Sequence, residues 1–444
     1  MAESSEVRRQ LVHVLVGAFA LLLRVMTWWQ AALMAVAAVL FNLLLLPRVA
    51  PAVFRPGDLQ SPLKSGIVIY PLAVLGLILF FPSRLDIAAA SWGVLAAGDG
   101  FATLVGAHVR TAPLPWNRAK STGGLAAFIV CGALAGVGLA AWTTAGLPGP
   151  PWWWIVAAPA VAALVAGFAE TVPIRLNDNI SVPAMAALVL WSLSFVDGGS
   201  IRHAAPIVIA RLAPAVLANG AAAFLGVRAR TVTAAGAIAG WAIGTAIFLG
   251  AGWQGWVLLI TAFLSVSIAT RAGFRRKAIV GIAEAREGRR GPGNAIANTG
   301  LAAWAALVAL GMARPDLARL AMAAALITAS SDTIASEVGK AWGKTTWLVV
   351  GWQRVPPGTS GAVSAEGTLA GIAAAIALAA LACALGLIPA ALVAGVVLAS
   401  TLASLGEGAL GAIFEGPGIL NNDVLNFLNS ALGAGLALVI ATVP

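Results

Sequence analysis

Residues 122–143 read TGGLAAFIVCGALAGVGLAAWT, a run with no Asp, Glu, Lys or Arg. A membrane-crossing helix needs about 20 mostly apolar residues. A soluble helix of that length would carry a charged face toward water. Moving outward, similar runs recur, among them 11–26, 66–81, 86–107, 183–196, 231–250, 253–270 and 296–312, and the chain holds roughly fifteen such spans. Composition agrees. Of 444 residues, 60% are apolar and 10% charged, where a soluble domain carries about 25% charged residues. So little polar surface cannot cover a soluble globule of this size, and the same balance excludes a disordered or disulfide-stapled chain. Cys131 and Cys383 both lie inside apolar runs, which offers neither a metal site nor a disulfide framework. The expected fold is all-α: a polytopic integral membrane protein with helices in two bundles, its first span retained and not removed as a signal.

The charges are placed as topology requires. The net charge of +10 is spread over short gaps and not gathered on one soluble module, so no nucleic-acid partner is expected. Counting from a cytoplasmic N-terminus with Arg8 and Arg9, alternate loops hold the basic residues: Arg48, Arg55 and Lys64; Arg110, Arg118 and Lys120; Arg175; Arg228 and Arg230; the dense stretch 271–290; Lys340, Lys344 and Arg354. The intervening loops are nearly bare, with Arg84, Arg202, Arg314 and Arg319 as exceptions. This predicts a bacterial-type inner-membrane protein whose C-terminus lies outside. Its polar motifs face the cytoplasm, as in an enzyme that takes a cytosolic cosubstrate. A transporter, the non-enzyme alternative, should also place polar groups at mid-membrane and on the outer face.

Two polar constellations divide the chain into 1–204 and 205–444, without a convincing residue-level repeat, so a fusion is expected. The first half carries His13 after Arg8-Arg9; Asp99 between Gly98 and Gly100; the loop Asn117-Arg118-Ala119-Lys120-Ser121-Thr122-Gly123-Gly124; and Glu170-Thr171-Val172-Pro173 leading to Asn177-Asp178-Asn179 and Val182-Pro183. An ionisable residue in a span is costly and functional by default. Phosphoryl transfer needs carboxylates for Mg²⁺ and cations or backbone N–H groups for phosphate oxygens. Asp99, Glu170 and Asp178 can supply the first. Asn117, Lys120 and the Ser121–Gly124 backbone opening a helix can supply the second.

The second half carries Asn294 and Asn298; Ser331-Asp332, Ser336-Glu337 and Lys340; Arg354; the loop Thr359-Ser360-Gly361 with Glu366 beyond it; and Asn422-Asp423 with Asn426. Asp332, Ser336 and Lys340 repeat every four residues and form one polar stripe. The Gly358–Gly361 loop can present N–H groups to phosphate as a nest. Asp332, Glu337 and Asp423 are the expected metal ligands, with Lys340, Arg354, Thr359, Ser360 and Gly361 on phosphate. Gly339–Thr345 lacks one residue of a Walker loop and no strand precedes it. The basic run 271–290 reads as a topogenic loop, and Trp152–Trp154 as interfacial belt.

The first-half motifs, taken together and in order, resemble the integral-membrane phytol kinase and dolichol kinase family, which phosphorylates isoprenoid alcohols with CTP. The second half resembles the phytyl-phosphate kinase family through Asn294/Asn298, Ser331-Asp332-Thr333, Ser336-Glu337-Val338-Gly339, the Pro356–Gly361 loop with Ser364 and Glu366-Gly367-Thr368, and Asn421-Asn422-Asp423 with Asn426. The resemblance implies a bifunctional kinase. A prenyl alcohol from the bilayer would become the monophosphate and then the diphosphate, with Mg²⁺ as cofactor and CTP as donor. Asp99, Asp178, Asp332 and Asp423 would be the catalytic acids, and His13, Asn179, Ser331, Glu366, Asn422 and Asn426 would support them. A lipid-phosphate cytidylyltransferase is the alternative enzyme class. The residues themselves do not choose among prenyl alcohols or between CTP and another nucleotide.

Overall fold

The computed structural model describes residues 2–50, 54, 65–172, 177–284, 286–415 and 419–442. Arg55, Lys64, Pro173 and Arg175 of the sequence reading lie outside these residues. Among the described residues, ten helices are long and apolar enough to cross a membrane, and Gly66–Phe80 and Asp178–Leu193 are shorter apolar helices. The protein is therefore an all-α polytopic membrane protein. The runs 231–250 and 253–270 are two helical stretches of the segment Ala234–Arg271 that meet at Gly252, whose φ of +70° and ψ of −166° break the helix between them as expected. The run 11–26 divides between an α-helix and a 3-10 helix. The run 296–312 falls in Pro292–Ala309, whose first turns carry Asn294, Asn298 and Thr299. Large apolar side chains stand exposed along the long helices, such as Leu134, Leu217 and Leu369. In water this would be a liability; against lipid it is the expected outer face.

Two compact units meet in sequence between Phe195 and Val196. The boundary expected at 204/205 lies instead inside a helix, Gly198–Arg228. Asp197 caps that helix, its Oδ1 accepting from the Gly199 and Ser200 N–H groups at 2.9 Å each.

The first unit comprises α1 (Ala2–Val16), α2 (Trp28–Leu40), α3 (Leu46–Val49), α4 (Gly66–Phe80), α5 (Leu85–Gly93), α6 (Gly100–His108), α7 (Thr122–Thr144), α8 (Trp152–Thr171) and α9 (Asp178–Leu193). A wide π turn, Val94–Asp99, joins α5 to α6. A short antiparallel pair, β1 (Pro113–Leu114) and β2 (Asn117–Ser121), precedes α7. The segment from Asp86 to Gly98 is buried throughout, so α7, α8 and α9 pack around it. Trp154 is buried too, with the Arg84 guanidinium 5.3 Å from its ring centroid. It is thus an interior residue and not part of an interfacial belt. Arg84 also pairs with Asp86 through two bonds of 2.9 and 2.7 Å.

The second unit comprises α10 (Gly198–Arg228), α11 (Ala234–Arg271), α12 (Phe274–Ile279), α13 (Pro292–Ala309), α14 (Pro315–Trp342), α15 (Ala365–Ala384), α16 (Val393–Leu410) and α17 (Asn422–Thr442). Strands β3 (Thr346–Leu348), β4 (Arg354–Val355) and β5 (Ala362–Ser364) form an antiparallel sheet in the order β4-β3-β5. The buried middle of α14, from Met322 to Ile327, is the core. Helices close on one another through small residues. A methyl group added at Gly250 would lie 1.9 Å from the Ala306 carbonyl oxygen, and one at Gly433 would lie 2.0 Å from Thr328 Oγ1.

Candidate active sites

In the first unit the four sequence motifs converge. Asp99 ends the π turn, Glu170 lies in the last turn of α8, and Asp178 opens α9. One carboxylate oxygen from each lies within 4.8 Å of the others, the one such group of three among the described residues. Lys120, at the end of β2, pairs with Glu170 and stands 4.0 Å from Asp178 Oδ2. Burial alone would lower the Lys120 pKa, but the hydrogen bond and charge of Glu170, with Asp178 and Asp99, raise it above the ordinary lysine value. His13 Nε2 approaches Asp99 Oδ2 to 3.6 Å, its ring edge-on to Tyr70. Three hard oxygen donors around one point suit a divalent cation such as Mg²⁺.

Several expected phosphate ligands are spent on structure. Asn117 Nδ2 donates to the Thr171 carbonyl at 3.0 Å, and its Oδ1 accepts from Ala119 N at 3.1 Å. It therefore ties the β2 loop to the end of α8, beside the Trp116 Nε1 bond to Thr171 Oγ1. Ser121 Oγ caps α7 by accepting from Gly124 N at 3.1 Å, and Gly123 N donates to Thr111 Oγ1 at 2.9 Å. The N–H groups expected to meet phosphate are thus occupied. Gly98 and Gly100 serve packing, the first against Phe128 and the second against Val14. Asn179 packs against Gly66 by its Nδ2.

In the second unit a cavity of about 310 Å³ gathers much of the other constellation. Asp332, Ser336 and Lys340 line it as one stripe of α14, and Asn422 and Asn426 face it from α17. Asn294, Ser331, Thr359, Ser360 and Gly361 join them. So do residues outside the expected site, among them Arg290, Ser404, Glu407 and Glu415. Their signal was weak, because isolated acids in an apolar run and one arginine in a basic run look like packing and topology.

Glu337 lines the cavity as well. It is buried and paired with Lys277, whose Nζ also donates to the Thr270 carbonyl at 2.8 Å, as Glu170 is paired with Lys120 in the first unit. Lys277 comes from the basic run 271–290, which is therefore more than a topogenic loop. Other expected residues stand elsewhere. Asp423 does not line the cavity; it meets Gly293 at the start of α13, where an added methyl group would lie 2.8 Å from Oδ2. Arg354 is exposed and stacks 5.0 Å from the Trp347 ring centroid. Glu366 is absent from the lining, and Asn298 lines a neighbouring apolar cavity.

The two units share a frame, which corrects the expectation of no residue-level repeat. Ala102 and Gly106 follow Asp99 by three and seven positions, as Ala335 and Gly339 follow Asp332. A methyl group added at Gly124 would lie 3.1 Å from Ala102 O and 3.7 Å from Gly106 Cα; one at Gly367 would lie 2.6 Å from Ala335 O and 3.1 Å from Gly339 Cα. Each glycine opens a helix capped three residues earlier by a serine, Ser121 or Ser364, at 3.1 Å. Each last helix starts on an Asn cap: Asn177 accepts from Asn179 N at 3.0 Å, and Asn421 from Val424 N at 2.9 Å. Asn179 meets Gly66 as Asp423 meets Gly293. In this frame Asp332 stands where Asp99 does, and Asn422 where Asp178 does. Glu407 rides on α16, which packs between α15 and α17 as α8 packs between α7 and α9.

Residues 217–434 match the family described as integral membrane protein DUF92. The chain is 40% identical over 214 residues to protein VTE6, chloroplastic, of Arabidopsis thaliana, covering 47% of this chain and 64% of that protein. It is 41% identical over 204 residues to the uncharacterized membrane protein sll0875 of Synechocystis, covering 45% of this chain and 78% of that protein. It is 32% identical over 145 residues to a probable phytol kinase of Zea mays, covering 32% of this chain and about half (48%) of that protein. No solved structure matches the chain. On these grounds the chain belongs to the DUF92 family of integral membrane proteins.

Proposed function

We propose that the chain is a membrane-embedded kinase of isoprenoid substrates. The first unit phosphorylates a prenyl alcohol, and the second phosphorylates the resulting monophosphate to the diphosphate. The observation that carries this reading is the shared frame. Each unit places an aspartate on a buried helix beside a serine-capped helix and an asparagine-capped one, with a lysine close by: Lys120 at the first site and Lys340 at the second. Two like sites fit two like reactions. The relatives named phytol kinases support the substrate class.

The chemistry follows from the side chains. Asp99, Glu170 and Asp178 would hold Mg²⁺ in the first unit; Asp332 and Glu407, with Asn422, would do so in the second. The ion supplies charge neutralisation at the triphosphate. Lys120 stays protonated, holding Glu170 in place. The substrate hydroxyl attacks the terminal phosphorus, the bond to the bridging oxygen breaks, the nucleoside diphosphate leaves, and the hydroxyl proton passes to Asp99. In the second unit the attacking atom is an oxygen of the monophosphate. Arg290 and Lys340 are placed to hold it, and no hydroxyl proton is in play. CTP is the donor implied by the family resemblance.

The test is to incubate the purified protein with phytol, geranylgeraniol and farnesol and each nucleoside triphosphate, then identify products by mass. Mono- and diphosphates with nucleoside diphosphate are expected. Pyrophosphate with a nucleotidyl lipid would instead establish a nucleotidyltransferase.

A further inference from the structure

The second unit holds another cavity, of about 150 Å³, between α10, α11, α13 and α14. Its wall is apolar and made of small or aliphatic groups, including Ala222, Ala237, Gly240, Ile243, Leu259 and Phe263. Four polar residues in that wall have turned their groups aside. Asn219 donates to the Ala215 carbonyl at 2.9 Å and accepts from Trp256 Nε1 at 3.1 Å. Asn298, Thr299 and Thr333 each donate to the carbonyl one turn back on their own helix, at 2.9, 2.6 and 2.8 Å. An occupant of this cavity therefore meets mostly methyl and methylene surface, with Ser330 and Asn294 as the further polar residues of the wall beside Arg290.

Arg290, Asn294 and Thr333 belong to both walls, so the apolar cavity adjoins the polar one across these three residues. The Arg290 guanidinium is fixed there by a 2.8 Å bond to Thr270 Oγ1 and lies 4.0 Å from Glu284. A cation at the junction of a polar chamber and an apolar one selects an amphiphile with an anionic head and a hydrocarbon tail.

We propose that the α10–α11–α13 cavity is the tail channel for the prenyl monophosphate, with the phosphate at Arg290 and the first isoprene units running past Gly240. The proposal rests on the kinase reading and adds to it where the lipid lies. Gly240 offers a clean test, because a Cβ there would meet nothing within 4 Å. Gly240→Leu therefore adds an isobutyl group to the channel wall with no clash at its first carbon. Gly435→Leu, equally open and lining neither cavity, is the control.

Diphosphate formation is measured with geranylgeranyl and dimethylallyl monophosphates. Gly240→Leu should lose at least about ten-fold on the long substrate, since a misplaced methylene alone brings that much discrimination in an apolar pocket. It should keep the short substrate within about two-fold. Unchanged rates on both, or equal loss on both, overturn the channel. A photoreactive benzophenone-tailed prenyl phosphate provides an arm independent of turnover. It should label peptides from 219–243 in the wild type and not in Gly240→Leu, and labelling that survives the substitution also overturns the channel. A wild type that labels there yet phosphorylates neither substrate keeps the channel and removes the kinase reading.

Discussion

At the scale of single residues, burial decides which charges are available for chemistry. Lys277 and Glu337 neutralise each other inside the second unit. Removing one partner strands the other, so Lys277→Met should cost about 3–5 kcal/mol. Lys277→Met with Glu337→Leu should recover much of that, as followed by thermal unfolding in detergent. Lys120 is different, because it bridges a site open to ligands. Its folded pKa lies above the ordinary lysine value of 10.5, so its pairing stabilises fully below that value and fades only as pH rises through the raised one. The stability gap between wild type and Lys120→Met should stay level from about pH 6 to 9 and shrink only in stronger alkali. A gap that closes near neutrality would contradict the assignment. The sequence exposed Lys120, Asp99, Glu170 and Asp178, because an ionised group in an apolar run has few excuses. It hid Lys277, since a buried lysine in a basic loop looks like its solvated neighbours.

At the scale of elements, caps and close approaches fix the site walls. Ser121→Ala and Ser364→Ala should each destabilise by about 1 kcal/mol through the lost cap. Gly367→Ala should be worse than Gly124→Ala, because its new methyl group would press to 2.6 Å on Ala335 O, against 3.1 Å on Ala102 O. Thermal midpoints in the reverse order would speak against the shared frame as drawn. The stripe Asp332, Ser336, Lys340 was legible from helical spacing alone, as was the pair Asn422 and Asn426. Ser121 and Asn117 were misread as phosphate ligands, because a cap and an anion site draw on the same side chains. Only the turn geometry shows that Ser121 and Thr111 have taken the N–H groups at the start of α7.

At the scale of the molecule, the apolar exterior and the helical content were readable from composition, and the division into two units from the placement of polar segments. The break between the runs 231–250 and 253–270 was readable too, since Gly252 leaves helical geometry there, but the mixed character of the run 11–26, part α-helix and part 3-10 helix, was not. The likeness between the units also escaped sequence reading. It rests on a handful of spaced positions, Asp-x-x-Ala-x-x-x-Gly and a serine cap, whose meaning lies in which helix each glycine touches. That likeness underlies the central claim of two sites for two successive transfers. The direct measurement supplies a prenyl alcohol and a nucleoside triphosphate to the wild type, Asp99→Asn and Asp332→Asn, with prenyl monophosphate given in parallel. The account predicts that Asp99→Asn loses alcohol phosphorylation by about 10²-fold or more yet still converts monophosphate to diphosphate, while Asp332→Asn accumulates monophosphate. Loss of both steps in each folded variant, or of neither, would contradict it.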